Sequence, residues 1–144
     1  MTGPERKTVR AEAYLRIVGD EGTVRTIAKE IGSAKAIVQQ TNAKITPSSD
    51  DTWWNWRTEP VPIDIDNADE GLRALLLAYR PSFPALKKHE NAADLYLELV
   101  TRCEPGEDPA GLFLSAETLQ LLNEMGGAFD HDVVVVTEAE GRNV

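Results

Sequence analysis

Val9-Arg10-Ala11-Glu12-Ala13-Tyr14-Leu15-Arg16-Ile17-Val18 decides the fold class of this chain. Val9, Ala11, Ala13, Leu15 and Ile17 fall on one side of an extended backbone, and Arg10, Glu12, Tyr14 and Arg16 on the other, the pattern of a strand with one buried face. Ala93, Leu95, Leu97 and Leu99, set against Asp94, Tyr96 and Glu98, repeat it past the midpoint. The oily side of two such strands needs a roof, and the segments between them supply one. After Gly19-Asp20-Glu21-Gly22, Thr23 reads as the cap of a helix with Val24, Ile27, Ala28 and Ile31 on one face and Gly32 at its end. Asn67 with Glu70 forms a capping box for a second helix, whose stripe is Ala68, Leu72, Leu75, Leu76 and Tyr79. Pro81 stops it, and Pro84 opens a further short turn. Ser115 caps a third helix bearing Leu119, Leu122 and Met125, closed by Gly126-Gly127.

Four extended segments complete the order. A short strand is expected at Ala36 to Gln40, followed by a polar loop from Asn42 to Asp51 and a strand from Trp53 to Thr58. Pro60 and Pro62 bar a central strand from Glu59 to Asp66, leaving an extended connection or an edge. Phe129 to Thr137 reads as the last strand, and its Val133 to Val136 run predicts cover on both faces. The fold expected is α+β: a ferredoxin-like split β-α-β antiparallel sheet with helices on one face, extended by a C-terminal helix and strand. That helix and strand either widen the sheet or begin a faint second copy, since Ala11 to Gly32 and Ala93 to Gly126 share one scheme. The 144 residues make one domain with an ordered core over about 9–137 and a charged tail at 138–144.

Composition narrows the function classes. Twenty-four acidic and fifteen basic residues give a net charge of −9, which repels phosphate backbones and attracts cationic partners, so nucleic acid is not an expected ligand. The apolar runs are too short to span a bilayer, and Met1 to Lys7 lacks the apolar core of a signal peptide, so neither membrane nor secretion is expected. One cysteine, Cys103, cannot pair within the chain and reads as a small core residue in a cytoplasmic protein.

Tyr14-Leu15-Arg16-Ile17-Val18-Gly19-Asp20, Ile31-Gly32, the tryptophan strand, Phe113-Leu114-Ser115-Ala116-Glu117-Thr118-Leu119 and Phe129-Asp130-His131-Asp132-Val133 together give a pattern over Glu12 to Val136. In it the chain resembles the bacterial family known as domain of unknown function 4279. The resemblance implies a compact cytoplasmic bacterial protein with no established activity. Members usually follow a Leu-Gly pair with a proline and a Gly-Asp turn; Ile31-Gly32 is followed by Ser33 to Asn42 without that proline, so the loop before the tryptophans differs.

Trp53-Trp54-Asn55-Trp56 gathers three of the nine aromatic residues. In a strand, Trp54 and Trp56 project to one face and Trp53 to the other, so burying one face leaves an indole near the opposite surface, where tryptophan anchors contacts. Asp130-His131-Asp132 brackets a histidine with carboxylates. Alternation sends His131 to one face and both aspartates to the other, and a ligand set would need Asp64, Asp66 or Glu117 as well, so no metal site and no cofactor are expected. The candidate binding residues are Trp53, Trp54, Trp56, Asp130 and Asp132, and no catalytic residue is assigned, because no nucleophile or phosphate-loop motif occurs.

Two functional readings follow. One is a non-enzymatic protein-binding domain that meets a cationic protein partner, for instance an immunity-type protein neutralising a basic toxin, present as a monomer or homodimer. The alternative is a small-molecule-binding or catalytic pocket between sheet and helices, walled by Trp54 or Trp56 with Asp130, Asp132 or Glu117 as its polar groups.

Overall fold

The computed structural model describes residues 10–34, 45–47, 53–107 and 111–136. The first alternating segment is strand β1 (Arg10–Gly19), buried at Ala11, Ala13, Leu15 and Ile17. Asp20 alone separates it from helix α1 (Glu21–Ala34). Asp20, not Thr23, is the cap: its carboxylate accepts the Thr23 backbone N–H at 2.8 Å and the Thr23 hydroxyl at 2.9 Å. These bonds, the Thr23 backbone N–H first, hold its pKa below the ordinary value. Gly32 does not end the helix, which continues to Ala34.

The strand expected at 36–40 lies outside the described residues. Strand β2 (Ile45–Pro47) instead sits inside the stretch read as loop, where it pairs with β3 (Trp54–Arg57). A short β4 (Val61–Ile63) follows, and β3 and β4 share one side of β1 in succession. Where one gives way to the other, Thr58 keeps the ladder whole: its N–H donates to the Leu15 carbonyl, and its hydroxyl accepts the Leu15 N–H, both at 3.0 Å. Thr58→Val retains the shape but strands a buried N–H, so the unfolding free energy should fall by roughly 1–3 kcal/mol in denaturant titration.

A 3-10 turn (Ile65–Asn67) leads into α2 (Ala68–Tyr79), which buries the five stripe residues read from the sequence. The expected capping box is incomplete. Asn67 makes no side-chain cap bond to the backbone and donates instead to the Glu70 carboxylate. After a second 3-10 turn (Arg80–Ser82) and a short α3 (Phe83–Lys87), β5 (Ala93–Cys103) runs antiparallel to β1 along its full length. Gly19 meets this junction without a side chain because a Cβ there would lie 3.1 Å from the Ala92 carbonyl oxygen and 3.1 Å from the Ala93 Cβ.

Helix α4 (Ala116–Met125) is capped by Ser115, whose hydroxyl accepts the Thr118 N–H, and ends at Gly126 with φ +82°. Its buried face is Thr118, Leu121, Leu122 and Met125, while Leu119 is exposed, one step off the face expected for it. The Ser115 N–H donates to Asp69 of α2 at 2.8 Å, and Arg73 bonds the other Asp69 oxygen, which clamps the two helices together.

Strand β6 (Ala128–Val135) then joins the far side of β5. The sheet order is β2-β3-β1-β5-β6, with β4 beside β1. β2 and β1 are both antiparallel to β3, which lies between them: this is the split β-α-β arrangement, and β5 completes its four-stranded sheet. The C-terminal helix and strand widen that sheet, and β6 makes the one parallel pairing among the described strands. The two strand-helix units are thus wired differently, one split by β3 and the other adjacent. The helices form one layer, α1 and α2 on β1 and α4 on β6; α2 packs directly on α4, and α3 lies against both α1 and α4. Their shared core includes Leu15, Ile17, Leu72, Leu76, Leu97, Leu99, Met125 and the unpaired Cys103. No described helix is long and apolar enough to cross a membrane.

One expectation about β6 fails. Val133, Val134 and Val135 are 48%, 40% and 54% exposed, because β6 is the outermost of the described strands and has a neighbour on one side only.

Candidate functional site

Strand alternation that turns Leu15, Ile17, Leu97 and Leu99 to the helices sends Tyr14, Arg16, Tyr96, Glu98, Asp130 and Asp132 to the opposite face. No described helix or strand covers that face. On it, Glu98 lies opposite Tyr14 of β1 and Asp130 of β6, while Asp132 stands one pleat further along β6, opposite Val100. Carboxylate oxygens of Glu98, Asp130 and Asp132 come within 4.8 Å of one another.

Glu98 is the unusual member. It is 2% exposed, and long neighbouring side chains reach over it. Arg16 crosses diagonally to donate from Nε to Glu98 Oε1 at 2.6 Å, while its other end lies 3.9 Å from Asp130. Glu98 Oε2 is buried and has no hydrogen-bond partner. Burial pushes the Glu98 pKa up, the Arg16 bond and charge pull it back, and Asp130 adds to the rise, so the net shift is upward. The same Arg16 guanidinium lies 4.5 Å from the Tyr96 ring centre, and Arg57 stacks on Tyr14 at 4.9 Å. Arg102 pairs with Glu12 at 3.3 Å on the same side.

A carboxyl whose folded pKa is raised stabilises the fold at pH below its unfolded value, near 4.5, and that contribution is lost as pH rises through the folded value. Asp20 and Asp69 act in the opposite sense. Burial tends to raise Asp69, but its bonds from Ser115 and Thr118 and the Arg73 charge outweigh this and leave it lowered, so its contribution is lost as pH falls. Glu98→Gln should therefore gain stability relative to the parent as pH is taken from about 4.5 towards neutrality. Urea titrations of both proteins across that range check this; a constant difference between them contradicts it.

The structure separates the candidate residues read from the sequence. Trp56 lies in the core opposite Ile17 at 5% exposure, and Trp54 is partly buried on the helical side, with Arg25 at 5.9 Å from its ring. Only Trp53 is exposed, at 48%. Asp130 and Asp132 do share a face, and His131 is on the other, its Nε2 bonded to the Thr101 hydroxyl at 3.0 Å. Asp64, Asp66 and Glu117 are not the companions of the two aspartates. Asp64 caps the first 3-10 turn, Asp66 lies within that turn, and Glu117 is in the first turn of α4. The third carboxylate is Glu98, and Arg16, Tyr14 and Tyr96 join it. Their signal in the sequence was the polar phase of the two alternating strands, which reads as a solvent face until the strand order is known.

A cavity of about 370 Å³ between β4 and α2, lined by Val61, Ile63, Ala74, Leu75 and Tyr79 among others, is almost wholly apolar and includes none of these residues. The pocket imagined from Trp54 or Trp56 with Asp130, Asp132 or Glu117 is not assembled, because the aspartates and the two tryptophans lie on opposite faces of the sheet.

No curated protein and no solved structure matches the chain. The family described as domain of unknown function (DUF4279) matches residues 7–136, which include every element described above, and the chain belongs to that family.

Proposed function

We propose that this domain is a non-enzymatic protein-interaction module that meets a cationic protein with the face of its sheet opposite the helices. The observation that carries this reading is the composition of that face. Two arginines are preorganised on tyrosines: Arg16, on Tyr96, stands beside the carboxylates of Glu98 and Asp130, and Arg57 stacks on Tyr14 further across the same face. Tyrosine, tryptophan and arginine are the residue types that dominate binding energy at interfaces, and stacking removes much of the entropy they would otherwise lose. Trp53, at the entry to β3, lies three strand spacings across the sheet and about six residues along it from Asp130, roughly 25 Å in all. That distance fits within one interface of ordinary size. A chain charge of −9 favours fast encounter with a basic partner, which is what an immunity-type role would require. The unpaired, buried Cys103 supports a cytoplasmic location.

Affinity capture with the full chain tests the reading. A basic protein should be retained at low ionic strength, released as salt rises, and retained at least tenfold more weakly by Trp53→Ala or by Asp130→Asn/Asp132→Asn. Capture that yields no protein, or retention indifferent to both variants and to salt, contradicts it.

The exposed edge of β6 favours a second reading, pairing of two copies through Val133 to Val135. Two chains of −9 oppose it, and gel filtration at low and high salt separates the two: self-association should appear only when charge is screened.

A further inference from the structure

We propose that Glu98, Asp130 and Asp132 bind one hard divalent cation of the Mg²⁺ or Mn²⁺ class. The three residues offer only carboxylate oxygens, the ligand type such ions prefer, and no cysteine or histidine joins them to favour a softer metal. Octahedral ligands about 2.1 Å from an ion lie roughly 3 to 4 Å apart. The oxygens, already within 4.8 Å of one another, reach that spacing by side-chain rotation on a fixed strand frame. Backbone carbonyls of β5, paired on both sides, are committed to the sheet, so water completes the shell, as is usual for these ions.

The cluster alone does not carry the inference; Glu98 does. Its Oε2 is buried and has no hydrogen-bond donor, in a side chain whose carboxylate lies against those of Asp130 and Asp132. A buried carboxylate oxygen without a partner costs free energy, and proteins leave such atoms where a proton or cation completes them. Arg16 supplies one positive charge against three negative ones, and the remainder of −2 matches a divalent ion.

The inference extends the proposed function, because ion and partner would draw on the same carboxylates and should compete. Its test needs no partner, so the two can fail separately. The full chain is titrated with Mn²⁺ and followed by electron paramagnetic resonance, with Mg²⁺ and Ca²⁺ as competitors. One saturable Mn²⁺ site per chain is expected, displaced by Mg²⁺ and weakened at least about tenfold in Asp130→Asn/Asp132→Asn, since removing even outer partners of a metal has that effect. Glu98→Gln, which keeps the side-chain shape, should weaken it as well, and it serves if the double variant fails to fold. Absence of saturable Mn²⁺ binding at millimolar concentration, or binding undiminished in a folded variant, overturns the proposal. Loss of metal binding without loss of partner capture would leave the interaction reading standing.

Discussion

Leu97→Ala should lower the free energy of unfolding by about 3–4 kcal/mol. Leu97 is fully buried in the middle of β5, with Leu15 of β1 directly beside it on one side and Phe129 of β6 on the other. Shortening it removes apolar surface and also leaves a void, because the two flanking strands fix the backbone and prevent the site from closing. For a chain of this length the cost corresponds to a fall in melting temperature of about 10 °C. Calorimetry or denaturant unfolding measures it. A loss below about 1 kcal/mol would mean that the residue lies at a boundary between two loosely joined units, not at the centre of one sheet.

Removal of Arg16 is the second large effect, and its origin is different. Arg16→Met retains most of the hydrophobic stem but takes away the 2.6 Å bond to Glu98, the stack on Tyr96 and the charge near Asp130. A buried carboxylate then stands beside another carboxylate with no cation, and breaking such a pair from one side costs about 3 kcal/mol near neutral pH. The loss should shrink as the pH is lowered, since Glu98 can take up a proton, and it should shrink in the Glu98→Gln background. By contrast Arg25→Met, which breaks the exposed Arg25–Glu21 pair, should cost less than about 1 kcal/mol. Equal costs for Arg16 and Arg25 would show that Glu98 is solvated.

Much of the architecture was legible because local chemistry and tertiary burial agree in it. The alternation of Val9 to Val18 and of Ala93 to Leu99 gave two strands whose register places Leu15 beside Leu97. The stripe from Ala68 to Tyr79 and the Ser115 cap likewise match their positions in the structure. The misreadings occur where two local options are close in energy. Asp20 and Thr23 can both cap α1, and the carboxylate wins because it bonds the Thr23 N–H and hydroxyl together. Gly32 offers a helix end, but a helix can carry a glycine at a cost of about 1 kcal/mol when its buried face continues to pack. Ile45-Thr46-Pro47 is too short and too polar in its surroundings to read as a strand, and becomes one only because β3 presents an edge to it. The valines of β6 look like core, yet strand order, which no local pattern encodes, places them at the rim.

The site was half legible for the same reason. Alternation alone puts Asp130 and Asp132 together and removes His131. It cannot say which strand lies next to them, so Glu98 and Arg16, distant in sequence, stayed in the background as ordinary polar positions. For the tryptophans, the packing of α1 against β3 shows that the helical side holds Trp54 and Trp56.

The most direct test is the titration of the Glu98 side-chain carboxyl, followed by carbon-detected NMR in the parent and in Asp130→Asn. A buried Glu98 flanked by Asp130 must titrate above the ordinary glutamate range, and loss of the Asp130 charge must bring it down part of the way. A Glu98 that titrates in the ordinary range and is indifferent to Asp130 would contradict the shared face on which the interaction surface and the cation site both depend.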